Sequence, residues 1–66
     1  MNIVVNGETK SFLEPITLEE LIGQLGARKE TVVAEVNRQI IQLDKRQELK
    51  LSNGDQVELI QFVGGG

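Results

Sequence analysis

The chain has 66 residues, of which 39% are hydrophobic and 26% charged, and this length suits one small domain with a single core. It contains no cysteine and no histidine, which excludes a disulfide framework, a Cys/His metal site and a thiolate nucleophile. The net charge of −3 and the presence of only two aromatic residues argue against nucleic-acid binding, which needs a basic patch or stacking platforms.

The first predicted element is a hairpin. Residues 1–5 alternate as a strand that places Ile3 on its apolar face. Asn6-Gly7 is a strong signal for a two-residue hairpin turn, because both residue types accept a positive φ. Residues 8–12 then return as a second strand, and their polar composition is typical of a sheet edge.

A short amphipathic helix is predicted over residues 18–25. Its apolar stripe has helical spacing and consists of Leu18, Leu21, Ile22 and Leu25. Thr17 and Glu20 form a capping-box pattern, in which each side chain bonds the backbone N–H of the other. Gly26 suits the left-handed residue that ends a helix. Gly23 weakens the helix by up to about 1 kcal/mol relative to alanine, which suggests that it permits close backbone packing.

The second half of the chain is predicted to be mostly extended. Strands are expected at residues 32–37, 40–41 and 56–63. They are separated by a turn at 37–39, a polar loop at 42–47 with room for a helical turn, and a sharp turn at 53–55. The apolar content of the last strand favours a central position in the sheet.

This order predicts an α+β protein, because a helix that follows a hairpin buries its stripe by lying across a sheet. The arrangement that uses every element is the β-grasp, a mixed sheet of four to five strands wrapped around one short helix, with the first and last strands as neighbours. A small barrel with a capping helix is the alternative.

The chain ends in three glycines directly after the last predicted strand. Residues 1–63 are expected to form the β-grasp domain and residues 64–66 a flexible tail, since glycine explores positive and negative φ alike. Three residues extend by about 10 Å. Gly64, Gly65 and Gly66 therefore suit a thread that enters a narrow channel and presents a carboxylate, although chain ends are also commonly frayed.

These features together resemble the ThiS family, the sulfur carriers of thiamine biosynthesis within the ubiquitin-like β-grasp superfamily. The resemblance covers essentially the whole chain and rests on the N-terminal strand with Asn6-Gly7 and on residues 17–22, 33–37, 40–41, 53–59 and 63–66. No one of these segments is decisive, and their order together with the terminal glycines carries the resemblance.

The resemblance implies a function for the terminal carboxylate. A ThiF-like adenylyltransferase of the ubiquitin-activating type uses ATP to convert the carboxylate of Gly66 into an acyl-adenylate. A sulfur donor system then leaves a thiocarboxylate, and a ThiG-like thiazole synthase receives the sulfur. Gly64 and Gly65 thread into the activating enzyme. The chain binds no cofactor itself and is a co-substrate, which fits the absence of a base beside its serines and threonines.

Docking onto these partners needs a surface, and the last strand offers candidates. If Val57 and Leu59 face the helix, Ile60 and Phe62 lie on the opposite sheet face and are candidates for an apolar docking patch. The alternative is that they pack internally. Three acidic residues are further candidates for contacts with basic partner groups: Glu35, Asp55 and Glu58.

Related functions remain as alternatives. Molybdopterin-synthase carriers share the fold, tail and chemistry, but they tend to be longer and to carry Pro and Ala before the glycine pair, where this chain has Gln61-Phe62-Val63-Gly64. A modifier joined to lysines and a non-covalent β-grasp interaction module are the others. No apolar run approaches membrane-spanning length and the first residues do not form a signal peptide, so we expect no membrane partner and a cytoplasmic location.

Overall fold

The computed structural model describes residues 1–62. The predicted tail of Gly64, Gly65 and Gly66, and Val63 at the end of the last predicted strand, lie outside the described residues. The elements are β1 (Asn2–Val5), β2 (Glu8–Ser11), α1 (Leu18–Gln24), β3 (Val32–Val36), β4 (Gln39–Ile40), a 3₁₀ turn (Leu43–Lys45) and β5 (Gln56–Gln61). Each strand predicted from the sequence is present.

The five strands form one mixed sheet in the order β2-β1-β5-β3-β4. The first and last strands, β1 and β5, run parallel, and the other neighbours are antiparallel. The central position of β5 and the edge position of β2 are confirmed. The sheet is open at β2 and β4, so the small-barrel alternative is wrong and the predicted β-grasp architecture is confirmed.

The helix begins at the predicted capping box. Thr17 Oγ1 accepts a hydrogen bond from the Glu20 N–H at 3.1 Å, and the Glu20 carboxylate accepts one from the Thr17 N–H at 2.8 Å. A box of this kind satisfies two backbone donors that have no partner within the helix. The short helix α1 is therefore well defined at its start.

The end of α1 is a Schellman motif centred on Gly26. Gly26 has φ +73° and its N–H donates to the carbonyl of Gly23, while the Ala27 N–H donates to the carbonyl of Ile22. The helix ends at Gln24, one residue earlier than predicted. A Cβ added to Gly23 would meet nothing within 4 Å, so the expectation that this glycine permits close packing is wrong.

The core lies between α1 and the inner face of the sheet. Leu18, Leu21 and Ile22 are buried as predicted, whereas Leu25 is 38% exposed. The remaining buried apolar residues are Ile3, Val5, Ile16, Val32, Ala34, Val36, Leu51 and Val57. The strand residues in this set alternate along β1 and β3, which is the pattern of a sheet with one covered face.

Both hairpins close with two-residue turns in the left-handed region. Asn6 and Gly7 have φ of 50° and 81°, and Asn37 and Arg38 have φ of 50° and 71°. The second turn had been predicted to include Gln39. Because Arg38 adopts a left-handed conformation that its residue type rarely signals, the turn is shorter and β4 starts one residue early.

The polar loop predicted at residues 42–47 contains a buried cation. Arg46 is 5% exposed, and its guanidinium donates to the carbonyls of Lys29 at 3.1 Å and Val32 at 2.6 Å. Its Nε has no hydrogen-bond partner among the described residues. Arg46 therefore joins the 3₁₀ turn to the loop that precedes β3.

Candidate functional site

The exposed face of β5 carries the predicted docking residues. Val57 is 1% exposed and Leu59 packs against the core, so these two side chains face the helix side. Ile60 and Phe62 are 47% and 60% exposed. The side chains of a strand alternate between faces, so Ile60 belongs to the outer face and Phe62 continues the same alternation. Neither residue is packed internally, and their role in docking stays a prediction.

A neighbouring valine on β3 extends this apolar surface. Val33 pairs directly with Ile60 and is half-buried on the outer face. Directly paired residues of antiparallel strands have side chains in contact distance. We call Val33, Ile60 and Phe62 the outer patch, and it lies immediately before the residues that lead to the terminal glycines.

Two carboxylates lie beside the outer patch. Glu35 of β3 pairs directly with Glu58 of β5. Like charges in this position destabilise a sheet. The ion pairs formed within residues 1–62 join Lys10 to Glu8 and Lys45 to Glu48, so neither carboxylate of the Glu35–Glu58 pair is neutralised by them. The pair leaves negative charge on the outer face.

The third acidic candidate has a structural role. The Asp55 carboxylate accepts hydrogen bonds from the Ser52 N–H at 2.7 Å and from the Asn37 side-chain amide at 3.0 Å. These contacts close the turn before β5 and join it to the turn after β3. Asp55 is thus engaged within the domain, unlike Glu35 and Glu58.

The end of β5 is fastened to the loop that precedes β3. The Gln61 side chain accepts a hydrogen bond from the Arg28 N–H at 2.9 Å and donates one to Thr31 Oγ1. The Phe62 N–H donates to the Thr31 carbonyl at 3.3 Å. We call the contacts of Gln61 with Arg28 and Thr31 the Gln61 clamp. The sequence did not single out Gln61, because a polar residue at a strand end usually indicates only a solvated position.

Residues 1–62 also form a groove that the residues of the outer patch do not line. Residues 1–62 contain no group of three or more His, Cys, Asp or Glu side chains that would hold a metal ion. A groove of about 380 Å³ is lined by residues between β2 and α1, including Phe12, Leu13 and Gln24. Of the predicted site residues, the two that the structure describes, Ile60 and Phe62, do not line it. Among the described residues, no helix is both long and apolar enough to cross a bilayer.

The fold and the exposed face of its last strand define a ubiquitin-like β-grasp protein that presents a surface beside its C-terminal residues. The sequence model of the ThiS family matches residues 3–66. The chain therefore belongs to the ThiS family.

Individual relatives agree with this assignment. The sulfur carrier protein ThiS of Bacillus subtilis is 32% identical over 50 residues, which are 76% of each chain. The crystal structure of the thiamine biosynthesis protein (ThiS) from Geobacter metallireducens superposes with a TM-score of 0.85 at 32% identity, covering 100% of both chains.

A longer relative has a different name. The thiazole synthase of Paramagnetospirillum magneticum is 35% identical over 66 residues, which cover all of this chain and 20% of that protein. A thiazole synthase of Magnetococcus marinus matches at the same identity and coverage. The chain therefore spans about a fifth of the length of these two curated relatives.

Proposed function

We propose that this chain is a sulfur carrier of thiamine biosynthesis and that its reactive group is the carboxylate of Gly66. Membership of the ThiS family supports the proposal, as does the similarity to a Bacillus subtilis protein named a sulfur carrier. In this role the chain is a co-substrate, and the catalytic groups and the ATP site belong to its partner.

The proposed chemistry explains why a chain without cysteine suits the task. A carboxylate is a poor electrophile, so one oxygen of Gly66 first attacks the α-phosphorus of ATP and releases pyrophosphate. Hydrosulfide from the sulfur donor then attacks the activated carbonyl, AMP leaves and the sulfur loses its proton. The resulting thiocarboxylate holds nucleophilic sulfur at the chain end, and no thiol side chain is needed.

The observation that carries the proposal is the exposed apolar patch at the end of β5. Ile60 and Phe62 lie in the outer patch, and only four residues separate Phe62 from the end of Gly66. Four residues span at most about 14 Å when the chain is extended. A ThiF-like adenylyltransferase that binds the patch thus has the carboxylate within reach of its nucleotide site. Gly64 and Gly65 carry no side chain that would obstruct a narrow channel.

Charge beside the patch suits a partner with basic groups. The Glu35–Glu58 pair is destabilising within the isolated domain, and a cation from a partner would relieve the repulsion. Exposed charges of this kind contribute mainly to the association rate and its dependence on salt. We therefore include Glu35 and Glu58 in the proposed docking surface and leave Asp55 out.

Thiazole synthase is the proposed acceptor of the sulfur. Two proteins named thiazole synthase contain a stretch that resembles this entire chain, which supports a functional link between the carrier and a ThiG-like enzyme. A separate sulfur donor system is required to charge the carrier. Because activation consumes ATP, we propose the cytoplasm as the location.

A carrier of the molybdopterin-synthase type would share the fold and the activation step. The match to the ThiS family over residues 3–66 favours the thiamine pathway. A reaction that contains the charged carrier and either thiazole synthase or molybdopterin synthase separates the two. We expect sulfur transfer in the reaction with thiazole synthase and none in the reaction with molybdopterin synthase.

The proposal is tested by supplying the chain to a ThiF-like adenylyltransferase with ATP and measuring pyrophosphate release. We expect release with the intact chain and none with a variant that lacks Gly65 and Gly66. The truncated variant should have an unchanged urea midpoint, because the removed residues follow the described domain. Full pyrophosphate release with the truncated variant would defeat the assignment of Gly66 as the reactive group, and no release with either chain would favour a non-covalent interaction module.

A further inference from the structure

The last strand loses one of its two neighbours before it ends. β1 pairs with β5 only at Gln56 and Val57, and the Asn6 side chain continues the contact as far as Leu59. Beyond Leu59, the ladder of β5 continues on the β3 side alone, where Gln61 pairs with Val32. A strand end held on one side is prone to fraying.

The Gln61 clamp lies where this support runs out. The side-chain amide of Gln61 uses both its oxygen and its nitrogen, toward the Arg28 N–H and Thr31 Oγ1. Gln61 is itself exposed, so these contacts add little to the core. They hold the strand end against a loop that is distant in sequence by about half the chain, with separations of 33 and 30 residues.

The loop that the Gln61 clamp contacts is itself fixed by hydrogen bonds within its turn and to Arg46. Its own turn is closed by hydrogen bonds from the N–H groups of Thr31 and Val32 to the Arg28 carbonyl, at 3.1 and 3.0 Å. The buried guanidinium of Arg46 also donates hydrogen bonds to the Lys29 and Val32 carbonyls of this loop. The clamp therefore attaches the end of β5 to a loop that the buried Arg46 side chain also holds.

We propose that Gln61 is a positioning residue for the activation of Gly66, an inference that rests on the proposed function. The clamp fixes the position of Gln61 at the end of β5. Five residues of sequence then separate Gln61 from the terminal carboxylate, a reach of at most about 18 Å. Without the clamp, the end of β5 frays back toward Leu59, the last residue held on both sides. More residues then separate the last fixed residue from the carboxylate of Gly66. The carboxylate then has a lower effective concentration at the nucleotide site.

The test compares five variants, one of them a double substitution, with the wild-type chain in a reaction that contains the adenylyltransferase, ATP and a sulfide source, because AMP is released only when sulfur attacks the acyl-adenylate. AMP formation gives kcat and KM separately. Gln61→Leu removes both side-chain contacts and is expected to lower kcat about twofold, because a segment of seven residues in place of five lowers the effective concentration of the carboxylate, with a smaller change in KM. Gln61→Glu is expected to restore kcat, because a carboxylate accepts from both the Arg28 N–H and the Thr31 hydroxyl. Thr31→Val removes one contact, and its effect is expected to be absent when Gln61→Leu is already present.

The matched control is Gln56→Leu, at the opposite end of the same strand. Gln56 is exposed, and its side chain forms no hydrogen bond within residues 1–62. This variant should keep the wild-type kcat. In Gln61→Leu, the amide hydrogen of Phe62 should exchange faster than in the wild-type chain, while core amides keep their protection.

The possible outcomes distinguish the positioning role of Gln61 from the proposed carrier function. If wild-type protein forms AMP and Gln61→Leu has the same kcat, the positioning role is wrong and the carrier function stands. A fall in kcat that is equal for Gln56→Leu also overturns the positioning role. If wild-type protein forms no AMP, the proposed function is wrong and the positioning role is lost with it.

Discussion

The side-chain amide of Asn6 binds both backbone polar groups of Leu59. Its Oδ1 accepts from the Leu59 N–H at 2.9 Å, and its Nδ2 donates to the Leu59 carbonyl at 3.3 Å. The amide thus occupies the place of a further peptide unit of β1, which ends at Val5. The same residue has a φ of 50° in the hairpin turn. Asn6 therefore closes one hairpin and extends the parallel pairing of β1 with the strand that leads to the tail.

Two substitutions separate these roles of Asn6. Asn6→Gly keeps the positive φ accessible and removes the amide, so we expect a loss of about 1–2 kcal/mol in the free energy of unfolding. Asn6→Ala adds the cost of a left-handed alanine, about 1 kcal/mol more. Urea denaturation measures both. A glycine variant as stable as the wild type would contradict the role of the amide, and equal stability of the two variants would contradict the backbone role.

Removing the buried guanidinium should destabilise the domain. Arg46→Met leaves the carbonyls of Lys29 and Val32 without their donor, and we expect a loss of about 1–3 kcal/mol. The matched control is Lys45→Met, because the neighbouring Lys45 side chain is 65% exposed. Thermal and urea unfolding of the pair should differ by this amount. Equal stability would show that the uncompensated Nε offsets the two hydrogen bonds.

Two glycines of the helix region should respond in opposite directions to alanine. Gly23 lies inside α1 with open space around its missing side chain, so Gly23→Ala should raise the free energy of unfolding by about 0.5–1 kcal/mol. Gly26 has φ +73°, and Gly26→Ala should lower it by about 1 kcal/mol. The two urea midpoints should therefore move apart. A destabilised Gly23→Ala would reveal a packing role for that glycine.

The outer patch should matter for binding and not for folding. Phe62→Ser is expected to weaken binding to the adenylyltransferase about tenfold, the usual scale for an exposed anchor residue, and to leave the urea midpoint unchanged. The control is Leu13→Ser, since Leu13 is exposed in the connection between β2 and α1 and lies outside the proposed docking surface. Titration calorimetry gives both affinities. Global unfolding of Phe62→Ser, or equal affinity for the two variants, would contradict the docking role.

The features that the sequence predicted depend on local patterns. The turn at Asn6-Gly7 and the capping box of Thr17 and Glu20 each involve residues within four positions of one another, and both are present. The alternation along β5 likewise placed Val57 inside and Ile60 outside. These signals depend only on backbone preference and side-chain periodicity, which a single sequence displays directly.

The features that were missed depend on contacts between distant residues. Gln61 joins Arg28 across 33 positions, and Arg46 reaches Val32 across 14. A glutamine at a strand end and an arginine in a polar loop indicate solvent exposure when they are considered alone. All of their partners except the Thr31 hydroxyl are backbone groups, which have no signature in the sequence. The exposed turn between β3 and β4 also places Arg38 in a left-handed conformation that its residue type rarely adopts, and β4 therefore starts one residue earlier than predicted.

Intact-mass analysis tests the central claim most directly. The chain is incubated with the adenylyltransferase, ATP and a sulfur source, and its mass is measured before and after. The account predicts that one oxygen of the Gly66 carboxylate is replaced by sulfur, and that no such change occurs in a chain without Gly65 and Gly66. An unchanged mass in the complete reaction, while a proven carrier is charged in parallel by the same components, would contradict it.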